Sequence, residues 1–250
     1  MKQLHQGCFA LAVLLLCGAA APDDARAVFR KMQDALGGAE NIAAVRDIEE
    51  LVRAESWNGN TGESMGEVLK RTRWIRPSVL RIDQVGPGST YVLYFDGDAG
   101  WEILPGTRQV VPIAGGELEF ARKYIRTYRL NTWLADQDSN NRITLLSPNR
   151  IRISNSDALD QRDITLDPSL FLPMTIATVS LSDPAHPVAS EETITEWGTV
   201  HGIRFPRRWT IFRNGVRVAE AHDARHTVNS GLRVADLAEK PRDLKPALPQ

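Results

Sequence analysis

The sequence contains almost no cysteine. Cys8 and Cys17 are its two cysteines, and both lie at the N-terminal end of the chain. Residues 18–250 therefore cannot form disulfide bonds, thiolate metal sites or cysteine nucleophiles. The chain also lacks an excess of either charge, because 30 basic and 31 acidic side chains give a formal net charge of −1. This balance excludes strong attraction to nucleic acid or to an anionic membrane through overall charge.

The sequence also lacks a catalytic signature. It has no Gly-x-Ser-x-Gly elbow, no phosphate-binding loop and no dinucleotide-binding fingerprint. The best metal candidate is the pair His222 and His226, whose spacing suits two zinc ligands on a helix, whereas the surrounding residues alternate like a strand. Asp223 also stands where a zincin has glutamate. We therefore predict solvated or hydrogen-bonded histidines, no catalytic residue, no metal site and no cofactor.

No apolar run in the sequence is long enough to anchor the chain permanently in a bilayer. The N-terminal run Phe9–Cys17 follows a lysine and precedes the small residues Gly18–Ala21, as in a cleaved export signal. We predict that residues 1–21 form this signal and that the mature protein is periplasmic. A lipid anchor on Cys17 is the less favoured alternative, because Leu16 precedes that cysteine where a lipobox has a small residue.

The most informative stretch is a predicted hairpin within residues 89–104. Its two apolar runs, Tyr91–Phe95 and Trp101–Leu104, are joined by a turn that begins Asp96-Gly97, and such a turn favours a tight antiparallel pair. The first run is apolar on both of its faces, which carry Tyr91, Leu93 and Phe95 on one side and Val92 and Tyr94 on the other. A strand of this kind needs cover on both sides. Whether protein or ligand supplies the second cover is a question about function.

The remaining pattern predicts a mainly β (α+β) fold. Apolar spacing indicates an N-terminal helix at Asp23–Leu36 and a mid-chain helix at Glu117–Leu134. Between and after them, short turns separate strand-like runs, which predict one antiparallel sheet of about ten or eleven strands. A sheet of that size must curl, so we expect an open half-barrel with both helices on its concave face. We assign residues 22–237 to this single domain and residues 238–250 to a Pro-rich tail.

Two details of this pattern concern charged residues. In the strand-like run Met65–Ile75, alternation places Lys70 on one face together with Val68, Thr72 and Trp74. In the mid-chain helix, four basic residues form a stripe on the side away from its apolar stripe: Arg122, Lys123, Arg126 and Arg129.

Aromatic and arginine residues recur together in the predicted strands. Six tryptophans are spread along the chain, and the run Ile203–Arg213 places Phe205, Arg207 and Trp209 on one face. One interpretation is an ordinary aromatic core with arginines at its rim. The other is an apolar pocket with guanidinium groups at its mouth, which suits an amphipathic ligand with acyl chains and a polar or anionic head. The candidate cavity residues are Trp74, Tyr91, Leu93, Phe95, Trp101, Phe205 and Trp209, and the candidate rim residues are Arg73 and Arg207.

Four phrases of the sequence together resemble a known family. They are the helix end Ala35–Glu40, the segment Arg73–Asp83, the turn Phe95–Trp101 and the late phrase Val200–Pro206. This set resembles the outer-membrane lipoprotein-sorting proteins, the LolA/LolB-like periplasmic carriers. The resemblance implies an open half-barrel closed by helices, whose apolar cavity holds the acyl chains of lipoproteins or similar lipids. It further implies a non-catalytic protein without cofactor.

Three functional hypotheses follow. The leading one is a monomeric periplasmic carrier of lipoproteins or other acyl-bearing molecules, with inner- or outer-membrane sorting components as its protein partners and no nucleic-acid partner. The second is an envelope structural or interaction module, such as an assembly factor or sensor domain, with a packed core. The third is a secreted hydrolase, which a cluster of His222, His226 and a carboxylate would support. The volume and lining of the space between sheet and helices distinguish the first two.

Overall fold

The computed structural model describes residues 22–87, 90–155, 160–180 and 188–249, so the predicted export signal lies outside the described residues. Within them every helix falls short of the length and apolarity that a membrane span requires. The described helices are α1 (Pro22–Leu36), α2 (Ala39–Ala43), α3 (Gly115–Thr127), α4 (Arg129–Trp133) and α5 (Val234–Ala238).

The described residues form one antiparallel sheet of thirteen strands, where the sequence predicts about ten or eleven. The first six strands are β1 (Asp47–Trp57), β2 (Ser64–Ile75), β3 (Val79–Val85), β4 (Tyr91–Phe95), β5 (Gly100–Ile103) and β6 (Val110–Pro112). The other seven are β7 (Asn141–Ser147), β8 (Arg150–Asn155), β9 (Asp160–Leu166), β10 (Pro173–Ser180), β11 (Val188–Val200), β12 (Ile203–Arg213) and β13 (Val216–Val228).

The order of the strands follows the chain, with one long-range pairing. The sheet runs from β6 through β1 to β13 and on to β7, so the last strand pairs with the first. In the described residues the edge strands β6 and β7 do not pair with each other, and the sheet stays open. Side chains from both halves, such as Leu93 of β4 and Ile153 of β8, belong to one buried cluster. The sheet therefore curls around the helices, as predicted.

Helix α1 packs on the concave side of the sheet, against β7, β8 and β12. Ala25, Phe29, Met32 and Leu36 recur every three or four residues and are all buried, so they form the stripe that faces the sheet. Each large side chain buried in this way contributes roughly 1.5–3 kcal/mol. Gln33 lies beside them and donates its amide to the carbonyl of Trp133 and to the Asp136 carboxylate, both at 2.9 Å, which ties α1 to the end of α4.

The mid-chain helix is interrupted at Tyr128. The sequence predicts one helix over Glu117–Leu134, but Tyr128 adopts an extended backbone with ψ of 145° and separates α3 from α4. The Asn131 amide donates to the Ile125 carbonyl at 2.7 Å, and the Thr132 hydroxyl donates to the Thr127 carbonyl at 3.1 Å. The Thr132 hydroxyl thus gives the Thr127 carbonyl a partner, and the Asn131 amide adds to the backbone hydrogen bond that the Ile125 carbonyl accepts from Tyr128.

Protein covers the second face of the predicted hairpin. Tyr94 is buried on the outer face of β4 together with Leu237 of α5. The indole of Trp101 donates to the Ala238 carbonyl at 3.2 Å, and Arg81 donates to the Leu237 carbonyl at 3.0 Å. The C-terminal segment from α5 onward, which includes residues predicted as a Pro-rich tail, thus closes the convex side of this part of the sheet.

A fully buried carboxylate fastens the C-terminal segment. Asp83 of β3 accepts hydrogen bonds from Arg73 at 2.6 Å, from Arg81 at 2.9 Å and from the backbone N–H of Ala247 at 2.9 Å. The carboxylate of Asp83 is 0% exposed. Because the two guanidinium groups are also largely buried, each depends on Asp83 for its counter-charge.

We predict that Asp83→Ala lowers the free energy of unfolding by about 3–5 kcal/mol, since it leaves two buried arginines without a counter-charge. Denaturant unfolding measures this loss. Glu119→Ala is the control, because Glu119 forms an exposed ion pair with Arg122 and its removal should cost at most about 1 kcal/mol. Equal losses in the two variants would contradict the assignment of Asp83 as the fastening group.

Candidate functional site

An open cavity of about 980 Å³ lies on the inner face of the sheet, beside the packed core. Its walls are the outer halves of β1, β2, β12 and β13, and its inner end is the junction of α3 and α4. Alternate residues of β1 line it, which shows that one face of the strand is turned toward it: Glu50, Val52, Ala54 and Ser56.

The outer part of the cavity is an apolar trough. Small side chains give it depth, because Ala54 lies directly opposite Ala221 and Ala219 lies opposite Ile211 across the strand pairs. Trp209 forms one wall, and its ring packs in a buried cluster with Ala54 and Ala221. At the mouth, Met65 and Val216 line the trough and are exposed. The apolar lining residues are Val52, Ala54, Trp57, Met65, Val68, Trp209, Ile211, Val216, Val218, Ala219 and Ala221.

The inner end of the cavity is polar, and its two carboxylates are paired. Glu50 of β1 lies directly opposite His226 of β13, and its carboxylate is 3.0 Å from Nε2 of that histidine. Glu192 of β11 accepts a hydrogen bond from Arg129, whose guanidinium lies 4.8 Å from the ring centroid of Trp209. Both acidic groups at this end thus have a basic partner within the protein.

The Glu50 carboxylate is held in its charged form. Burial raises the pKa of Glu50, but the hydrogen bond with His226 and the positive charges of His226, Arg129 and Lys70 outweigh burial and lower the pKa to about 2. The His226 ring stacks on Phe205 with centroids 4.6 Å apart, which fixes its orientation against the core. The Glu50 carboxylate and the stacked ring of His226 therefore form a fixed polar end wall of the cavity.

Lys70 and two tyrosines complete the inner end. The Lys70 ammonium donates to the Tyr124 hydroxyl at 3.2 Å and lies 4.8 Å from the centroid of that ring. The Tyr128 ring packs against Trp74 with centroids 5.3 Å apart and against Tyr124 at 6.0 Å. Burial raises the pKa of Tyr128 well above its ordinary value, so its hydroxyl keeps its proton. These groups therefore offer hydrogen-bond donors to the cavity.

Among the predicted cavity residues, Trp209 lines this cavity. Trp74, Leu93, Phe95 and Phe205 are at most 1% exposed and belong to the packed core between sheet and helices. Tyr91 is half-buried and packs against the same core, and Trp101 lies on the outer face beside Tyr94, at 5.8 Å between ring centroids. These core residues thus pack against the helices and one another, and the larger open volume lies next to them.

The predicted rim arginines lie away from the cavity. Arg73 is buried on the outer face, where it pairs with Asp83 beneath the C-terminal segment. Arg207 is exposed and lies 3.8 Å from both Glu196 and Asp223. The cationic side chains at the cavity are instead Lys70, Arg129 and Arg213.

Sequence reasoning did not select the polar inner end of the cavity. The sequence pattern predicts Arg129 in the basic stripe of one long helix, but the break at Tyr128 turns it toward Glu192 and the cavity. Strand alternation predicts Lys70 on the same face as Trp74. A lysine among mainly apolar side chains is the signal that could have indicated a polar site there. In the described residues no group of three or more histidine, cysteine, aspartate and glutamate side chains could hold a metal ion.

Comparison with known proteins shows similarity at the level of structure. No protein-family model and no curated protein matches the chain. A LolA superfamily protein from Nitrosomonas europaea matches 86% of this chain and 97% of its own, with a TM-score of 0.53 and 11% identity. The chain has the LolA-type fold. At this identity, the fold is the property that the two chains share.

Two further structures have this LolA-type fold. An outer membrane lipoprotein-sorting protein domain from Vibrio parahaemolyticus matches 87% of this chain and 97% of its own, at 12% identity and a TM-score of 0.55. A DUF1329 family protein from Desulfovibrio piger matches 86% of this chain and 97% of its own, at 12% identity and a TM-score of 0.56. The resemblance of the sequence phrases to LolA-like proteins is thereby confirmed for the architecture.

We predict that Glu50→Gln removes an acid-sensitive part of the stability of this LolA-type fold. Because the folded pKa of Glu50 is depressed from 4.5 to about 2, its contribution is complete above the unfolded pKa and is lost as pH falls through the folded value. The contribution is about 3 kcal/mol. The free energy of unfolding, measured from neutral pH down to about pH 2, should therefore converge for wild type and Glu50→Gln at the acid end.

Glu55→Gln, on the same strand nearer the mouth, is the control for this profile. This substitution should lower the free energy of unfolding by only about 1 kcal/mol at neutral pH, because the hydrogen bond of Glu55 with Ser64 lies at an exposed site. A Glu50→Gln protein whose stability differs from wild type by the same amount at every pH would show that the depressed pKa of Glu50 does not contribute.

Proposed function

We propose that this protein is a non-catalytic periplasmic carrier that reversibly buries the acyl chain of a lipid or lipidated protein. The observation that supports this most directly is the open cavity of about 980 Å³ with its apolar trough on the inner face of the sheet. Sites for small hydrophobic ligands have volumes of about 300–1,000 Å³ and apolar linings with a few fixed polar groups. The cavity has both properties.

The known proteins with this fold are consistent with a carrier. One of them is described as an outer membrane lipoprotein-sorting domain. For this chain we propose the same class of task, with inner- or outer-membrane sorting components as its protein partners. The predicted export signal at residues 1–21 would place the monomeric carrier in the periplasm, and residues 22–237 would form its single domain.

The trough alone supports modest binding. Burial of one methylene group contributes about 0.8 kcal/mol. A trough that covers one side of a chain of about a dozen methylenes contributes roughly 5 kcal/mol, which corresponds to a dissociation constant somewhat below 1 mM. Tighter binding requires either closure over the chain or contacts with the head group.

Closure would give a role in binding to the predicted cavity residues that lie in the packed core. We propose that α3 and α4 move as the ligand enters and that the contact between Tyr128 and Trp74 is the boundary that shifts. Such a movement would bring Trp74 and Phe205, now in the packed core, to the cavity surface beside Trp209. Tyr91, Leu93 and Phe95 would then be the next layer under the ligand, and Trp101, Arg73 and Arg207 would support the sheet from its outer face.

The packed core also favours a second candidate, an envelope interaction module. Side chains fill the space between sheet and helices, as a scaffold without ligand requires. Co-purification with a protein partner, together with failure to bind any lipid, would favour this second function over the carrier.

We predict that Ala219→Phe weakens binding of a neutral apolar probe, N-phenyl-1-naphthylamine, about tenfold or more. Ala219 lines the trough opposite Ile211, and a benzyl group there occupies volume that the probe needs. Fluorescence titration measures the affinity, and Ala99→Phe in an exposed turn is the control with the same added volume. Unchanged affinity in a folded Ala219→Phe protein, or no binding to wild type, would contradict the proposed carrier function.

A further inference from the structure

We propose that Lys70 and the hydroxyl of Tyr128 form a subsite for an anionic head group, so that the ligand of the cavity is an acidic amphiphile with a carboxylate or phosphate head. This inference rests on the proposed carrier function. It adds to that function a ligand class and a residue that selects it.

Lys70 is the cation at the inner end that forms no direct ion pair with a described residue, although the charge of Glu50 acts on it from the neighbouring strand. Its ammonium makes no ion pair with any residue in the described part of the chain, and its hydrogen-bond partner is the neutral hydroxyl of Tyr124. Glu50 lies diagonally across from it, because Lys70 pairs with Val52 and Glu50 pairs with Thr72. The Glu50 carboxylate already forms a hydrogen bond with Nε2 of His226, at 3.0 Å. A half-buried ammonium with only a phenol as partner is suited to an incoming anion.

The remaining polar groups at the inner end also favour an anion. Both carboxylates there are already paired, Glu50 with His226 and Glu192 with Arg129. The Tyr128 hydroxyl borders the cavity and makes no hydrogen bond to any described residue, so its proton is free to be donated. The charge at this end without an ion-pair partner among the described residues is therefore the positive charge of Lys70, and the hydroxyl of Tyr128 can donate beside it. Carboxylate and phosphate oxygens are the acceptors that complement an ammonium and a hydroxyl.

The geometry of the trough gives the ligand a direction. From Lys70, strand β2 continues past Val68 to Met65 at the mouth, a path of roughly 17 Å at about 3.3 Å per residue. A bilayer hydrocarbon core of about 30 Å consists of two opposed chains, so one chain of a membrane lipid is of similar length. We infer that the head lies at Lys70 and the chain follows the trough toward Met65 and Val216.

The head group supplies the affinity that the open trough does not. A hydrogen bond to a charged group in a partly buried site changes affinity by about tenfold to a hundredfold. An amphiphile with a carboxylate or phosphate head should therefore bind at least about tenfold tighter than the alcohol of equal chain length. This preference is a property of the head group, because the two ligands have the same chain.

The test compares dodecanoate, dodecyl phosphate and dodecanol as competitors of N-phenyl-1-naphthylamine on the wild-type protein. Dodecanoate and dodecyl phosphate should each displace the probe at about tenfold lower concentration than dodecanol. Lys70→Met should abolish this ratio, Lys70→Arg should keep it, and Tyr128→Phe should reduce it. Lys240→Met, at an exposed site, is the charge-matched control.

The outcomes separate this inference from the proposed function. Equal affinities of the acid and the alcohol for wild type would overturn the anionic subsite while the carrier function stands. Failure of all three amphiphiles and of the probe to bind would overturn both. Displacement of the bound amphiphile by inorganic phosphate alone, at similar concentration, would show a site for free anions and overturn the assignment to a lipid head. If Lys70→Met does not fold, the ratio of the displacing concentrations of dodecanol and dodecanoate, measured on the wild type and on Lys70→Arg, still tests the anionic subsite.

Discussion

The contact between Tyr128 and Trp74 divides the inner face of the sheet into two parts. On one side of it, side chains from the helices and the sheet pack into one buried cluster. On the other side the same strands continue without helical cover and form the open cavity. The break in the helix at Tyr128 makes both arrangements possible, because it ends α3 above Trp74 and turns the next residue, Arg129, toward Glu192.

The boundary also explains why charged side chains are found so deep in the molecule. Glu50 and Arg129 lie where the packed core ends, and each is neutralised by a partner from a different strand. An ion pair at this depth contributes little net stability relative to apolar packing, but removal of one member leaves a buried charge without compensation. These paired side chains thus fix the inner end of the cavity, and Lys70 is the charged group there that is able to bind a ligand.

Much of the architecture was predictable because it depends on local patterns. Alternation along β2 placed Lys70 on the face of Trp74, and the turn at Asp96 and Gly97 was confirmed as the link between β4 and β5. The curled sheet with helices on its concave face followed from the number of strand-like runs. In each case the signal lies within a few residues of the feature that it predicts.

The candidate site was less predictable because long-range pairing creates it. Glu50 and His226 are 176 residues apart in the chain and meet only because the last strand pairs with the first. The cover on the outer face of β4 comes from residues near the C-terminus, such as Leu237 and Ala238, which lie where the predicted domain meets the predicted Pro-rich tail. Trp209 lines the cavity, but other aromatic residues that suggested one, such as Trp74 and Phe205, belong to the core beside it, since large apolar side chains pack equally well against each other and against a ligand.

The central claim is that the trough beside this core holds an acyl chain. Native mass spectrometry of the protein, purified without detergent from its own envelope or after incubation with dodecanoate, tests it most directly. The account predicts an additional mass equal to that of an acyl-bearing molecule, which gas-phase activation releases and which is missing in the Ala219→Phe variant. The mass of the bare polypeptide under every one of these conditions would contradict the account.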